Sequence, residues 1–279
     1  MRKARARFHY NWLPAGRRKA VRPGSGDPGA AGPGSGDPGR GHRCECERES
    51  TATGTWGLVF HEDTQDTRAP GWLRLLELID GAAEDRRTVF KPFAELSAEQ
   101  RGQVVTLPPT IAKLTSVRQL LFFGSNLVRI PPEIGAMTGL EEFDAYMSPR
   151  LHWYPYEITR CARLAGSKVS TSILYGNFKG RPPFPALRAV TDAKQADFAA
   201  LDPAVWGTNR ALTCSVCGTS IEGELRQVWI SRMVGTDVLP LLVNACSAAC
   251  VAALPDPEPG YVPTPHTGGP DIVQPPKRM

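Results

Sequence analysis

The feature that most constrains this chain is an internal repeat in its middle, with a spacing of 23 and then 24 residues. When the three copies are aligned, nearly every matching position is apolar. The aligned columns are Leu107/Ile130/Tyr154, Pro108/Pro131/Pro155, Ile111/Ile134/Ile158, Leu114/Met137/Cys161 and Val117/Leu140/Leu164. A unit of this length is too small to bury its own apolar face, so it must stack on its neighbours. The repeat therefore predicts a core in which each column lines a shared interior.

Each repeat also contains a strand-like segment in which alternate residues are apolar. Because successive side chains of a strand point to opposite faces, we expect one set to point inward. The inward set comprises Val117, Leu120, Phe122, Ser125 and Leu127, then Leu140, Phe143, Ala145, Ser148 and Leu151, then Leu164, Ser167, Val169 and Ser172. The outward set comprises Gln119, Leu121, Phe123, Glu142, Asp144, Tyr146, Lys168 and Ser170.

With these features, residues 96–178 resemble the leucine-rich repeat family, in a bacterial-type form with a Pro-Pro-x-x-Ile step. That step is seen in residues 107–111 and 130–134. The resemblance implies a short curved α/β solenoid with a parallel sheet on its concave side, and members of the family mostly bind proteins across that sheet. The sequence departs from the family where an asparagine ladder is expected, because Ser125, Ser148 and Ser172 occupy those positions. A serine can still bond the turn backbone, with less reach than an amide.

The outward side chains are candidate partner-binding residues. They are Gln119, Leu121, Phe123, Glu142, Asp144, Tyr146 and Lys168, a mixture of apolar and charged groups of the kind that binds proteins. The alternative is that flanking segments of the chain cover this face. The aromatic residues of His152-Trp153-Tyr154-Pro155-Tyr156 have the same two interpretations, and we expect packing for Trp153 and Tyr154.

Two cysteine pairs further along predict a metal site. Cys214 and Cys217 are followed, after 28 intervening residues, by Cys246 and Cys250. This spacing is typical of a tetrahedral four-cysteine zinc site. The intervening sequence predicts a hairpin, and Cys246 and Cys250 start a short helix on which both sulfurs share a face.

The order of knuckle, hairpin and helix over residues 212–256 resembles the treble-clef zinc fingers. Four thiolates leave no open position for water, so the Zn²⁺ is expected to be structural. Its binding would supply folding free energy to a module too small to rely on a hydrophobic core. A redox switch, in which oxidation releases the zinc, is the alternative.

The charge is concentrated at the N-terminus. Residues 1–22 contain eight Lys or Arg and no acid, which leaves 25 basic and 28 acidic residues beyond them. A basic arm of this kind, together with the zinc module, could bind nucleic acid through phosphates. The alternative is a solvated, disordered leader, since residues 23–39 duplicate a Gly/Pro-rich unit that cannot form a core.

The complete domain prediction follows from these segments. It comprises a disordered arm (1–70), a cap helix with a first partial repeat (71–106), the repeats and their flank (107–190), a connector (191–211), the zinc module (212–256) and a disordered tail (257–279). The cap helix is expected over Trp72–Asp80 and to stop at Gly81, followed by apolar residues that cover the first coil.

Several functional classes are not indicated by the sequence. No Ser/His/Asp order or HExxH motif is present, and Cys161 occupies an inward column, so we expect a protein that is not an enzyme and has no small-molecule substrate. No run approaches the roughly 18 apolar residues of a membrane span, and an apolar signal region is lacking. We therefore expect a cytoplasmic protein without membrane contact, whose main partner is another protein.

Overall fold

The computed structural model of the chain describes residues 47–49, 56–58, 61, 63–187 and 213–276. The strands in chain order are β1 (Glu47–Glu49), β2 (Trp56–Leu58), β3 (Val89–Phe90), β4 (Gln119–Leu121), β5 (Glu142–Ala145), β6 (Tyr154–Pro155), β7 (Gly166–Val169), β8 (Arg226–Val234) and β9 (Asp237–Ala245). The α-helices are α1 (Pro70–Glu84), α2 (Pro92–Glu95), α3 (Ala98–Gly102) and α4 (Ala248–Ala252). Within these residues, no helix has the length and apolarity needed to cross a membrane.

A parallel sheet in the order β3-β4-β5-β7 forms the centre of this mixed α/β structure. Its register follows the sequence repeat, because Gln119 pairs with Glu142 and Glu142 pairs with Gly166. Short 3-10 helices connect the strands and lie at Pro109–Lys113, Pro132–Ala136, Tyr156–Arg160 and Thr171–Ile173. The first two start at a proline, whose fixed φ suits the first helical position and whose missing N–H is not needed there.

The repeated columns line one shared hydrophobic core, as predicted. Ile111, Ile134 and Ile158 have no exposed surface, and only Leu164 of the last apolar column is partly exposed. The inward set of strand residues is also buried, apart from Leu164 and Ser172. Tyr154 replaces an aliphatic residue in its column, and its ring packs edge-on against Phe143 with centroids 5.8 Å apart.

The row of serines differs from the prediction in the third repeat. Ser125 and Ser148 are buried with their hydroxyl oxygens 2.7 Å apart, and Ser148 Oγ donates to Phe122 O at 3.2 Å. Ser172, however, is exposed. Strand β7, in the third repeat, ends at Val169, and a 3-10 helix follows directly. Ser170 therefore bonds the second repeat in place of Ser172, and its Oγ accepts from Met147 N at 3.0 Å.

The ordered structure on the N-terminal side of the repeats includes more residues than predicted. Helix α1 passes through Gly81 and ends at Glu84, because buried Ala82 continues its apolar face. Gln65, in the arm expected to be disordered, donates to Gln103 O and accepts from Val105 N, both at 2.9 Å. Strands β1 and β2 within the same arm pair antiparallel. Most of that arm and the connector 191–211 lie outside the described residues.

The cysteine-bearing segment is joined to the repeats by a second sheet, in the order β6-β9-β8. Tyr154 of the third repeat pairs in parallel with Leu241 of β9. The hairpin turn between β8 and β9 also contacts β7, where Ser167 Oγ donates to Val234 O at 2.9 Å. Side chains from both parts therefore belong to one continuous core.

The tail, predicted to be disordered, instead contacts β8 at Glu258 and His266 and contacts Arg181 at Pro276. His266 exchanges two backbone hydrogen bonds with Trp229, at 2.7 and 3.1 Å. The Arg181 guanidinium donates to Gly260 O at 2.7 Å and lies over the Tyr261 ring, 5.3 Å from its centroid. These contacts were not predictable from composition, since the segment is rich in Pro and Gly.

Candidate metal centre and exposed sheet face

The first cysteine pair lies on a tight turn. Gly218 N donates to Cys214 O at 2.9 Å, and Cys214 N donates to Thr219 O at 2.8 Å. Gly218 has a φ of +76°, in the left-handed region that side chains disfavour. The turn brings Cys217 back toward Cys214, so both sulfurs face the same point.

The second pair is positioned by the end of β9 and the start of α4. Cys246 directly follows β9, and Cys250 lies four residues later in the helix. Ser247 is the helix N-cap, and its side-chain oxygen accepts from Cys250 N at 3.1 Å. This cap fixes the first helical turn, which places the two sulfurs 3.5 Å apart.

The four sulfurs of Cys214, Cys217, Cys246 and Cys250 all lie within 4.8 Å of one another. The sulfurs of Cys217 and Cys246 are 3.6 Å apart. Four sulfurs placed tetrahedrally about 2.3 Å from a zinc ion would be separated by about 3.8 Å, so the arrangement has the size of such a site. Cys246 N also points to Cys214 Sγ at 3.4 Å, as expected for a backbone donor to a thiolate.

The environment shifts the pKa values of two of these thiols in opposite directions. Hydrogen bonds from Thr219, together with those from Cys214 and Cys246, lower the pKa of Cys217 to about 6. At Cys250 a hydrogen bond from Ser247 favours the thiolate, but the neighbouring Cys246 sulfur and desolvation prevail and raise the pKa to about 12. A dication that binds all four sulfurs must therefore displace protons, so its affinity is expected to increase with pH.

The structure places the seven candidate partner-binding residues on the outward face of the parallel sheet. Leu121, Asp144 and Lys168 pair across the strands and form one row. Gln119 and Glu142 form the neighbouring row, and Glu142 accepts from Gln119 Nε2 at 3.0 Å. A carboxylate oxygen of Glu142 is also 3.8 Å from Lys168 Nζ, which connects the two rows.

Phe123 and Tyr146 lie at the end of these rows, just beyond β4 and β5. Their side chains are 60% and 49% exposed, and their ring centroids are 6.2 Å apart. Met147 lies beside them with 55% exposure and a φ of +60°. The alternation of the strands did not indicate Met147, because it follows the strand and its direction is set by the turn.

The aromatic residues of the 152–156 cluster have separate locations. Trp153 and Tyr154 are buried, as expected, and Tyr156 is half-buried beside Arg232. Trp153 packs edge-on against Trp229 with centroids 5.9 Å apart, in a second cluster that includes Tyr175 and Phe184. Sequence patterns did not indicate this cluster, since its members come from distant segments.

Comparison with known proteins identified no family model and no curated protein sequence that matches this chain.

Proposed function

We propose that this protein is a non-enzymatic scaffold built on a short leucine-rich repeat solenoid. The support is structural periodicity, since parallel strands 23 and 24 residues apart pair in register and alternate with 3-10 helices that start at equivalent residues. Stacking of short strand-turn units around one core is the general principle of such solenoids. Helix α1 covers the first coil and the cysteine-bearing hairpin covers the last.

The observation that carries the binding proposal is the exposed pair Phe123 and Tyr146. Isolated exposed apolar residues are common, but two rings in contact on one sheet face, beside Met147, form a patch. Aromatic side chains bury a large area and dominate the energetics of protein interfaces. The charged side chains of Glu142, Asp144 and Lys168 next to them would form the polar rim and orient the partner.

We further propose that the four cysteines hold a structural Zn²⁺ in a treble-clef-like module. Four thiolates of this geometry match zinc better than hard cations such as Mg²⁺ or Ca²⁺, which prefer oxygen ligands. The order of cysteine turn, hairpin and cysteine-bearing helix is the same as in treble clefs. Because all four positions of a tetrahedral ion would be filled, this centre has no site for substrate.

The binding proposal is tested with a Phe123→Ala/Tyr146→Ala variant. Proteins from the native host are captured by crosslinking to the full chain and quantified by mass spectrometry. We expect at least one protein to be depleted about tenfold or more with the variant, since hot-spot aromatics typically contribute 2 kcal/mol or more. Leu73→Ala is the matched control, because Leu73 is also 49% exposed but lies on helix α1. Identical capture by wild type and the double variant would contradict the proposal.

Nucleic-acid binding through residues 1–22 and the zinc module remains the alternative prediction, resting on eight basic residues in that stretch. It makes a different experimental prediction. Binding to a random-sequence duplex should weaken steeply between 50 and 200 mM salt and should be lost when residues 1–22 are deleted. Partner capture on the sheet face should survive the same deletion.

A further inference from the structure

Strand β8 is at the edge of its sheet, and its outward backbone groups follow an alternating pattern. Trp229 exchanges two hydrogen bonds with His266, and Ser231 O accepts from Glu258 N at 2.8 Å. These bonds show that the odd-numbered residues of β8 direct their N–H and C=O groups away from β9. The tail covers this edge at Trp229 and then turns away at Gly268, where φ is +71°.

Gln227 belongs to the same alternate set but has no such strand beside it. Asn244 is the residue of β9 opposite Gln227, and its backbone is hydrogen-bonded to Ser215. Ser215 N donates to Asn244 O at 2.7 Å, and Ser215 Oγ accepts from Asn244 N at 2.9 Å. The backbones of the two strands therefore do not bond each other at this pair. Among the described residues, the Gln227 N–H and C=O have no hydrogen-bonding partner.

A cavity of about 700 Å³, here termed the β8 groove, lies at this position. Its lining is mostly apolar and includes Leu187, Leu225, Val228, Val251 and Leu254 together with several prolines. The side chain of Gln227 also lines it and is only 5% exposed. Its Nε2 donates to Asn244 Oδ1 at 2.7 Å, but its Oε1 is buried without a partner in the described part of the chain.

Unpaired buried polar groups are costly, so those at Gln227 favour a ligand that supplies both a donor and an acceptor. A backbone N–H and C=O directed outward from one edge residue are complementary to another peptide backbone. The pairing of His266 with Trp229 shows the same geometry two residues further along β8. Arg226 and Glu224 form an ion pair at 2.8 Å, which leaves Asp256 as the lining charge without an ion-pair partner among the described residues.

We propose that the β8 groove binds an extended peptide segment of a partner protein, which adds to β8 as an antiparallel strand at Gln227. Main-chain hydrogen bonds to the edge supply affinity, and the apolar walls select alternate side chains. Asp256 favours a segment that carries a lysine or arginine at the mouth of the groove. This site is separate from the Phe123 and Tyr146 patch, so its function does not depend on the scaffold proposal.

The central test uses Gln227→Pro in the full-length, zinc-loaded protein. Proline removes the outward N–H but no backbone bond to β9, and edge strands tolerate proline when its nitrogen faces outward. It also removes the side-chain bond to Asn244, which Gln227→Leu removes as well. Random nine-residue peptides are displayed and selected on the wild-type protein, and their affinities are measured by fluorescence anisotropy. We expect selected peptides to alternate apolar residues and to contain a basic residue. Their binding should weaken about tenfold or more in Gln227→Pro and less in Gln227→Leu, which keeps the backbone donor.

Two further measurements keep the proposal falsifiable if Gln227→Pro folds poorly. Asp256→Asn should weaken binding of the basic peptides and reduce their salt dependence. Hydrogen exchange should show the Gln227 amide fast in the free protein and protected in the complex. Phe123→Ala/Tyr146→Ala should bind the peptides normally, which separates the two sites.

Four results would overturn the proposal. Selection could yield no peptide, or the peptides could bind Gln227→Pro as tightly as wild type. A Gln227 amide already protected in the free monomer would show that another part of this chain occupies the groove. A concentration-dependent dimer in sedimentation, lost in Gln227→Pro, would identify a second copy as the occupant.

Discussion

At the scale of single residues, His266 links the packing of the C-terminal segment to pH. The imidazole is 8% exposed, its Nδ1 accepts from Gly268 N at 3.1 Å, and Phe184 packs edge-on against it at 4.6 Å. Burial lowers the pKa of His266 to about 4. The folded protein therefore keeps this ring neutral, whereas the unfolded chain protonates it near the usual value of about 6.5.

We predict that stability decreases as the pH falls from about 6.5 to about 4, because only the unfolded state takes up the proton over this range. The contribution is fully present above pH 6.5 and amounts to roughly 3 kcal/mol. Urea unfolding of wild type and His266→Asn at several pH values measures it, since asparagine keeps an acceptor for Gly268 N but does not titrate. Equal pH dependence in the two proteins would contradict the prediction.

The buried serine pair is a second residue-scale test. Ser148 is fully buried, and Ser148→Ala removes bonds to Ser125 and to Phe122 O at once. We predict a loss of about 1–3 kcal/mol in the free energy of unfolding, because buried partners are left unsatisfied. Ser172→Ala is the control, with a change within about 0.5 kcal/mol expected at an exposed position. Similar urea midpoints for the two variants would show that the ladder is not stabilising.

At the scale of elements, sequence periodicity predicted the strands and inward residues within each repeat. It did not predict strand pairing between segments that are distant in the sequence. The strand register and the inward columns follow from side-chain alternation within each repeat, so residues such as Phe143 could be placed correctly. The pairing of Tyr154 with Leu241 uses backbone groups across a separation of 87 residues, which leaves no periodic pattern. The same reason explains the missed pairing of His266 with Trp229, in a segment whose Pro and Gly content suggested disorder.

The four-cysteine cluster was predictable for a different reason. Metal ligands must converge whatever the intervening fold, so spacing in the sequence is informative even though 28 residues separate the two pairs. The length of helix α1 was underestimated because glycine commonly follows the last residue of a helix, and Gly81 matches that pattern. Glycine costs a helix only about 1 kcal/mol, which the burial of Ala82 offsets. The unpaired edge at Gln227 is invisible to composition, since it depends on which backbone groups β9 leaves free.

The turn between β8 and β9 gives an element-scale prediction. Gly235 has a φ of +63°, and a Cβ there would lie 2.9 Å from Ser167 N of strand β7. We predict that Gly235→Ala costs at least about 2 kcal/mol, since it adds a backbone clash to the strain of a left-handed residue. Gly124→Ala is the matched control, with a φ of +68° and no atom within 4 Å of the added Cβ.

Thermal unfolding measured by calorimetry distinguishes the two glycine variants. The control should lose only the conformational cost, about 1–2 kcal/mol. A Gly235→Ala variant no less stable than Gly124→Ala would show that the hairpin turn can move away from β7, and that the two sheets are only loosely coupled.

At the scale of the whole molecule, the proposed zinc centre and the repeats should unfold together. The core is continuous from α1 to β9, and the hairpin joins the repeats through the β6–β9 pairing and through Ser167. The last repeat is therefore covered by a module whose folding would depend on the ion. An end repeat without its cover exposes apolar surface, which destabilises the repeats packed on it.

We predict that the protein unfolds in a single calorimetric transition and that removing the metal with a strong chelator lowers its midpoint temperature. Both parts should unfold together because they share one core. Structural zinc contributes apparent binding free energies of about 10–16 kcal/mol in small fingers, so most of the stability of this end should be lost. Cys250→Ser should have the same effect without chelator, whereas Cys161→Ser removes a thiol outside the quartet and should retain one equivalent of zinc by elemental analysis. Two separate transitions, with only the smaller one sensitive to chelator, would instead show that the repeats are stable without their C-terminal cover.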